Sequence, residues 1–189
     1  MEEAECIQPQ YNIRRLEKQE IVKSFDCGDA DLNDFILNES LLYRKELLAV
    51  SYAVEDNSKS VIAYFSLAND RVSLSDFEDK TAFNRFRRHR FVNEKRLKSY
   101  PAVKICRFGV DLMVKKKHIG TRVLNFIKSY FIEDNKTGCR FITVDAYSSA
   151  IPFYLKNGFE PLTSDDENDA TRLLYFDLND IVAVSSTHL

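Results

Sequence analysis

Residues 101–147 read as strand, helix, strand, and this unit limits the possible architectures more than any other stretch of the chain. PAVKICRFGVD (101–111) is rich in branched and aromatic residues, and its Pro101 stops a preceding helix and favours extended backbone. IGTRVLNFIKSYFIED (119–134) places Ile119, Val123, Ile127, Tyr130 and Phe131 along one side of a helix. CRFITVDAY (139–147) is a second strand of buried character. A strand, crossover helix and strand normally make a right-handed connection between parallel strands.

Both flanks read as antiparallel. Residues 11–16 give a short first strand, and in FDCGDADLNDFI (25–36) Asp29 or Asp31 can cap a helix with Leu32, Phe35, Ile36 and Leu42 at helical spacing, ending near Lys45. LLAVSYAVED and SVIAYFSLAND flank the polar turn DNSKS and read as a hairpin. Helical propensity is patchier over 75–99. After residue 147, SAIPFYLKNG gives a short helix closed by Gly158, and FEPLT with TRLLYFDL gives a last pair of strands. The expected fold is α/β (α+β), with a mixed, mostly antiparallel central sheet, one parallel strand pair and helices on both faces. Residues 11–180 are expected to form a single domain between tails at 1–10 and 181–189, with no internal repeat.

Composition removes several function classes. With 189 residues, 44% hydrophobic and only 5 Gly and 4 Pro, the chain suits one folded domain rather than a disordered or low-complexity one. A formal charge of −2 sets up no global field toward nucleic acid or anionic membrane, so charged recognition must be local. The acidic start MEEAECIQPQ lacks a secretory apolar core, and the apolar stretch 47–54, interrupted by Ser51, is far short of the roughly 20 residues that span a bilayer. Cys6, Cys27, Cys106 and Cys139 form no CxxC pair and have no histidines nearby, which reads as reduced thiols in a cytoplasmic protein without a metal site.

The segment carrying most chemical information joins the first strand of the unit to its helix: Val114, Lys115, Lys116, Lys117, His118, Ile119, Gly120 and Thr121. A helix N-terminus has unpaired N–H groups and partial positive charge, and consecutive lysines add to the attraction for an anion. Gly109, an unusual residue inside a strand, marks a bulge, a close backbone approach or tight packing.

The run from Pro101 to Phe159 resembles the GNAT superfamily of N-acetyltransferases. PAVKICRFGVD looks like the family's fourth strand, KKKHIG like its R/Q-x-x-G-x-G/A acetyl-CoA loop, and AIPFYLKNGF like its A-x-x-FY-x-x-x-GF signature. FDCGDADLNDFI looks like the F-x-CG-x-x-x-LN-x-FL opening of a subgroup that includes toxins acetylating aminoacyl-tRNA. The loop departs from the pattern twice, with Lys115 at the Arg/Gln position and His118 in place of the first glycine. The resemblance implies that the fourth and fifth strands splay apart around the pantetheine arm of acetyl-CoA. The backbone of Phe108, Gly109 and Val110 would hydrogen-bond that arm, and Lys115 to Thr121 would hold the pyrophosphate. It also implies protein partners for a toxin-like chain, namely a cognate antitoxin and a second copy of itself.

The reaction so implied is direct attack of an amine on the acetyl thioester, with backbone N–H groups steadying the oxyanion. Tyr154 matches the family's tyrosine acid, and a phenol with a reference pKa of about 10 keeps its proton at neutral pH until a thiolate needs it. No general base stands out, Asp145 and Glu160 being the acids nearest to the role. An α-amine, with a reference pKa near 7.7–8.0, needs such help less than a lysine amine near 10.4.

FNRFRRHRFVNEKRLK (83–98) carries Arg85, Arg87, Arg88, Arg90, Lys95, Arg96 and Lys98 against Glu94, with Phe86 and Phe91 between them. Such a stretch can contact phosphates, or it can be a solvated basic helix whose phenylalanines pack inward. The acidic run Asp165, Asp166, Glu167 and Asp169 reads as a solvated hairpin loop. The leading expectation is an acetyl-CoA-dependent N-acetyltransferase acting on a primary amine, with aminoacyl-tRNA among the acceptors. The alternative is a non-catalytic CoA-binding or nucleic-acid-binding protein on the same scaffold, for which His118 is the main support.

Overall fold

The computed structural model describes residues 11–92, 96–115, 117–133, 137–164, 166–167 and 169–181. Lys116, Glu94, Lys95, Asp165 and both expected tails therefore lie outside the described residues, apart from Ile181. Among the described residues, seven strands, β1 (Asn12–Arg15), β2 (Val50–Glu55), β3 (Val61–Ser73), β4 (Ser99–Val110), β5 (Phe141–Tyr147), β6 (Glu160–Pro161) and β7 (Thr171–Asp177), follow the order β1-β2-β3-β4-β5-β7-β6. The helices are α1 (Ala30–Asp34), α2 (Ser40–Lys45), α3 (Lys80–Arg90), α4 (Ile119–Glu133) and α5 (Ile151–Lys156). β4 and β5 pair in parallel while β1–β2, β2–β3, β5–β7 and β6–β7 are antiparallel, which is the mixed sheet expected from the sequence.

The chain divides into two compact units, Met1–Leu67 with Arg107–Gly120, and Ala68–Cys106 with Thr121–Leu189. In the first, Leu16, Val22, Phe25, Phe35, Ile36, Ala53 and Tyr64 form the core. The Asp29 carboxylate caps α1 by accepting from Leu32 N at 3.0 Å. The helix expected over 30–45 is not uniform: a π-helical segment, Phe35–Glu39, separates α1 from α2. Around it, buried Arg44 donates to Ser40 Oγ and to the Glu17 and Glu20 carbonyls, while Ser40 Oγ donates to Ile36 O. The bonds from Arg44 to the Glu17 and Glu20 carbonyls are long-range, and they accompany this wider turn. Leu42, expected on the apolar side, is instead 61% exposed.

In the second unit, Val72, Phe83, Phe86, Tyr100, Ala102, Phe141, Leu162 and Tyr175 pack together. The patchy stretch after residue 75 holds α3, capped by Asp79, which accepts from Ala82 N at 2.7 Å. Phe83 and Phe86, one turn apart, are its buried side. β4 begins two residues before Pro101, whose ring lies exposed. Among the described residues, no helix is long and apolar enough to cross a membrane.

Candidate active site

β4 is twelve residues long and β5 seven, yet the two pair only over Ala102–Lys104 and Phe141–Thr143. Beyond that register each strand continues, β4 through Phe108, Gly109 and Val110 and β5 to Tyr147. Phe108 and Val110 are partly buried and Gly109 is buried. A Cβ on Gly109 would meet Tyr64 Cε1 at 2.9 Å and Phe25 Cε1 at 3.1 Å. Gly109 thus admits two aromatic rings that stand edge to face, 5.1 Å apart, and packing is one reason for a glycine there.

The loop after β4 is tied to the FDCG segment. Asp111 accepts from Met113 N at 2.9 Å and from Asp26 N at 3.3 Å, and Leu112 N donates to Asp26 O at 2.9 Å. Asp26 in turn accepts from Gly28 N and Asn33 Nδ2, both at 2.8 Å, and these bonds hold its carboxyl below the usual carboxylate range. Cys27 N donates to Asn33 Oδ1 at 2.9 Å, so the spaced CG and LN pairs of this segment close one turn. Lys115 Nζ donates to Cys27 O at 2.8 Å, which turns that ammonium toward the same segment.

Lys117 and His118 are exposed, Ile119 is buried, and Gly120 and Thr121 are partly buried as α4 begins. No acidic residue occupies the first turn of this fifteen-residue helix. A positive helix end without a neutralising carboxylate, flanked by Lys117 and His118, fits a diphosphate such as that of acetyl-CoA. His118 has φ 58°, in the left-handed region that glycine adopts most easily. The loop therefore needs at this position the backbone shape that the family pattern assigns to glycine, and a histidine holds it at the cost of strain.

Tyr154 lies on α5, 5% exposed, edge-on to Phe153 and to Phe159 at 5.2 and 5.3 Å. Burial alone raises its phenol pKa, so it holds its proton firmly. Pro152 starts α5 and Gly158, at φ 81°, ends it. A Cβ on Gly158 would also meet Phe176 Cε2 at 3.2 Å.

The two acids named from the sequence are already engaged. Asp145 forms an ion pair with Lys104 just past the parallel register. Burial opposes the charge on Lys104, but Asp145 and then Asp70 outweigh it and keep the ammonium above its ordinary pKa. Asp70 also accepts a short hydrogen bond from Thr143 Oγ1. Glu160 accepts from Tyr175 Oη at 2.8 Å.

The four arginines of α3 separate by role. Arg87 donates to Leu97 O at 3.1 Å and lies over the Phe83 ring. Arg90 sits 4.3 Å from the Phe86 ring centre, touches Tyr175 Oη and faces Asp177 at 3.6 Å. These two are built into the fold through those contacts. Arg85 and Arg88 are exposed. Phe77, Phe86 and Leu162 line a cleft of about 350 Å³ together with Glu78, Arg85, His89 and Arg90. In the acidic run, Asp166 is not simply solvated, because it pairs with Arg172 at 3.2 Å and accepts from Leu173 N at 2.6 Å.

Lys128 was not singled out from the sequence, although it follows Ile127 and precedes Phe131 by three, a position on the buried side of α4. Its Nζ donates to Asn157 O at 2.6 Å. The Asp70–Thr143 bond left no such signal, since it joins positions 73 residues apart. Among the described residues, no cluster of His, Cys, Asp and Glu could hold a metal ion.

Comparison with known proteins bears on the whole arrangement. The acetyltransferase (GNAT) domain family matches residues 84–178, just over half of the chain. A tyrosine-to-phenylalanine mutant of KacT superposes with a TM-score of 0.73 at 19% identity, over 93% of this chain and 99% of its own. AtaT complexed with acetyl-methionyl-tRNAfMet gives 0.68 at 20% identity, over 93% and 99%. An AtaT mutant toxin bound to the C-terminus of the antitoxin AtaR and acetyl-CoA gives 0.65 at 20% identity, over 92% and 97%. No curated protein matches the chain in sequence. Together with the mixed sheet and its parallel β4–β5 pair, the family match places this chain among the GNAT acetyltransferases, enzymes that use acetyl-CoA.

Proposed function

We propose that residues 11–180 act as one catalytic domain that moves the acetyl group of acetyl-CoA to the α-amine of an aminoacyl-tRNA, in a toxin restrained by an antitoxin. The observation that supports this acceptor is the exposed positive charge on α3, where Arg85 and His89 line, with Glu78 and Arg90, a cleft that also holds Phe77 and Phe86, and Arg88 is exposed on the same helix. The likeness in fold to AtaT, solved with acetyl-methionyl-tRNAfMet and, as a mutant, with its antitoxin's C-terminus, agrees with it. In this reading the backbone of Phe108, Gly109 and Val110 binds the pantetheine arm. The start of α4 binds the diphosphate through its backbone N–H groups, His118 supplying the backbone turn before them and the consecutive lysines Lys115, Lys116 and Lys117 adding local positive charge. The amine lone pair attacks the thioester carbonyl, the excess proton on nitrogen passes to solvent water, and the tetrahedral adduct collapses with cleavage of the C–S bond and loss of the CoA thiolate. Tyr154 Oη gives that thiolate its proton and is reprotonated from solvent, so one amine proton leaves and one thiol forms. An α-amine is already partly neutral at pH 7, so Asp145 and Glu160 need not leave the bonds they make.

The test is mass spectrometry of products formed from acetyl-CoA with separate pools of small amines, peptides and charged tRNA. An acetylated α-amine on charged tRNA is expected, and product confined to another pool overturns the acceptor assignment. With charged tRNA, neutralising Arg85 and Arg88 should make the salt dependence of the apparent affinity shallower by about 2 in log–log slope, one phosphate contact each. An unchanged slope removes α3 from the interface.

A further inference from the structure

Lys128 buries an ammonium where an apolar side chain would fit, with only 7% of the residue exposed. Its Nζ stands 3.8 Å from the centre of the Phe176 ring and 5.6 Å from that of Phe159, and no acid pairs with it among the described residues. Burial lowers its pKa to about 8. A lone buried charge is a poor route to stability, since similar volumes of hydrocarbon usually do as well or better. What this charge does reach is the end of α5. The Asn157 carbonyl that it holds at 2.6 Å belongs to the residue closing that helix, where a cation also meets the negative end of the helix dipole.

The same turn grips Tyr154. Asn157 N and Phe159 N both donate to Tyr154 O, at 3.0 and 3.1 Å, and Asn157 Nδ2 donates to Phe153 O at 2.8 Å. The Phe159 ring that lies near the Lys128 ammonium is also edge-on to the Tyr154 ring. Two routes, one through the Asn157 backbone and one through the Phe159 ring, thus lead from Lys128 to the tyrosine.

We propose that Lys128 is a positioning residue for Tyr154, fixing the closing turn of α5 so that the phenol is held where the leaving thiolate forms. This rests on the reading of Tyr154 as the acid. Small displacements of a catalytic group cost tenfold or more in rate while leaving binding intact.

The experiment compares wild type, Lys128→Met, Lys128→Arg, Tyr154→Phe and the Lys128→Met/Tyr154→Phe double variant. Release of CoA thiol is followed with the charged-tRNA pool as acceptor, and the Kd of acetyl-CoA by titration. Tyrosine labelled with 13C in the ring gives a Tyr154 signal, identified by its loss in Tyr154→Phe. Lys128→Met should lower kcat about tenfold or more, keep the acetyl-CoA Kd within about twofold and shift the Tyr154 signal. Lys128→Arg, which keeps a donor, should recover most of the rate. In the Tyr154→Phe background Lys128→Met should cost nothing further. An unmoved Tyr154 signal with unchanged kcat, or an equal loss in both backgrounds, overturns the proposal. If Tyr154→Phe itself retains full turnover, it is the assignment of the acid that fails. Should wild type release no thiol with any charged tRNA of the pool, the acceptor is wrong and the Tyr154 signal alone decides for or against Lys128.

Discussion

His118 holds a left-handed backbone at φ 58° directly before α4, a conformation that costs an L-residue roughly 1–2 kcal/mol. Replacing it with glycine removes the strain and adds chain entropy to the unfolded state, for a net gain of about 0.5–1 kcal/mol, seen as a rise in Tm of a few degrees. Acetyl-CoA affinity should stay within about threefold of wild type, whereas a loss of tenfold or more would assign the imidazole a phosphate contact worth about 1.4 kcal/mol. The folded pKa of Lys128, about 8, lies below the reference value of about 10.4, so between these values the unfolded chain binds more protons and stability rises with pH. Urea unfolding at pH 8 and pH 10 should show wild type gaining on the order of 2–3 kcal/mol relative to Lys128→Met, with no differential slope below pH 7. A flat difference across that window contradicts the buried placement. Of these residues, His118 could be read as unusual from the motif it interrupts. Lys128 could not be assigned a role, because its partner carbonyl is 29 positions away.

At the scale of elements, α5 shows how a short helix is set by its ends. Six residues are too few to be stable alone, so Pro152 at the start and Gly158 in the left-handed region past the end carry much of the definition. Gly158→Ala meets both an unfavourable φ and the Phe176 ring at 3.2 Å, and should cost about 1–3 kcal/mol in urea unfolding. Turnover should fall with it, because the same turn holds Tyr154. Most strands and helices were legible from alternation, caps and turn residues, the β4–α4–β5 unit above all. Departures arise where distant partners intervene. Arg44 reaches back to the Glu17 and Glu20 carbonyls and accompanies a π-helical segment inside a stretch that reads as one helix. Arg87 and Arg90 look like phosphate ligands in a run of cations, but Leu97 O, Asp177 and three aromatic rings take them into the fold.

For the molecule as a whole, charge and composition set only broad bounds, and the motifs in their order carried the functional reading. In one unit the FDCG segment is hydrogen-bonded to the Asp111 loop, and in the other β4 and β5 share a short parallel register. Acceptor choice was legible only as local positive charge on α3, since no sequence pattern distinguishes a solvated arginine from one that meets phosphate. The most direct measurement is transfer of radiolabelled acetyl from acetyl-CoA to a pool of charged tRNAs by wild type and Tyr154→Phe, with acetyl-CoA affinity measured alongside. Wild type is predicted to form N-acetyl-aminoacyl-tRNA, and Tyr154→Phe to slow this by about a hundredfold at unchanged cofactor affinity. No acetylated tRNA from wild type, or equal rates from the two proteins, would contradict the account.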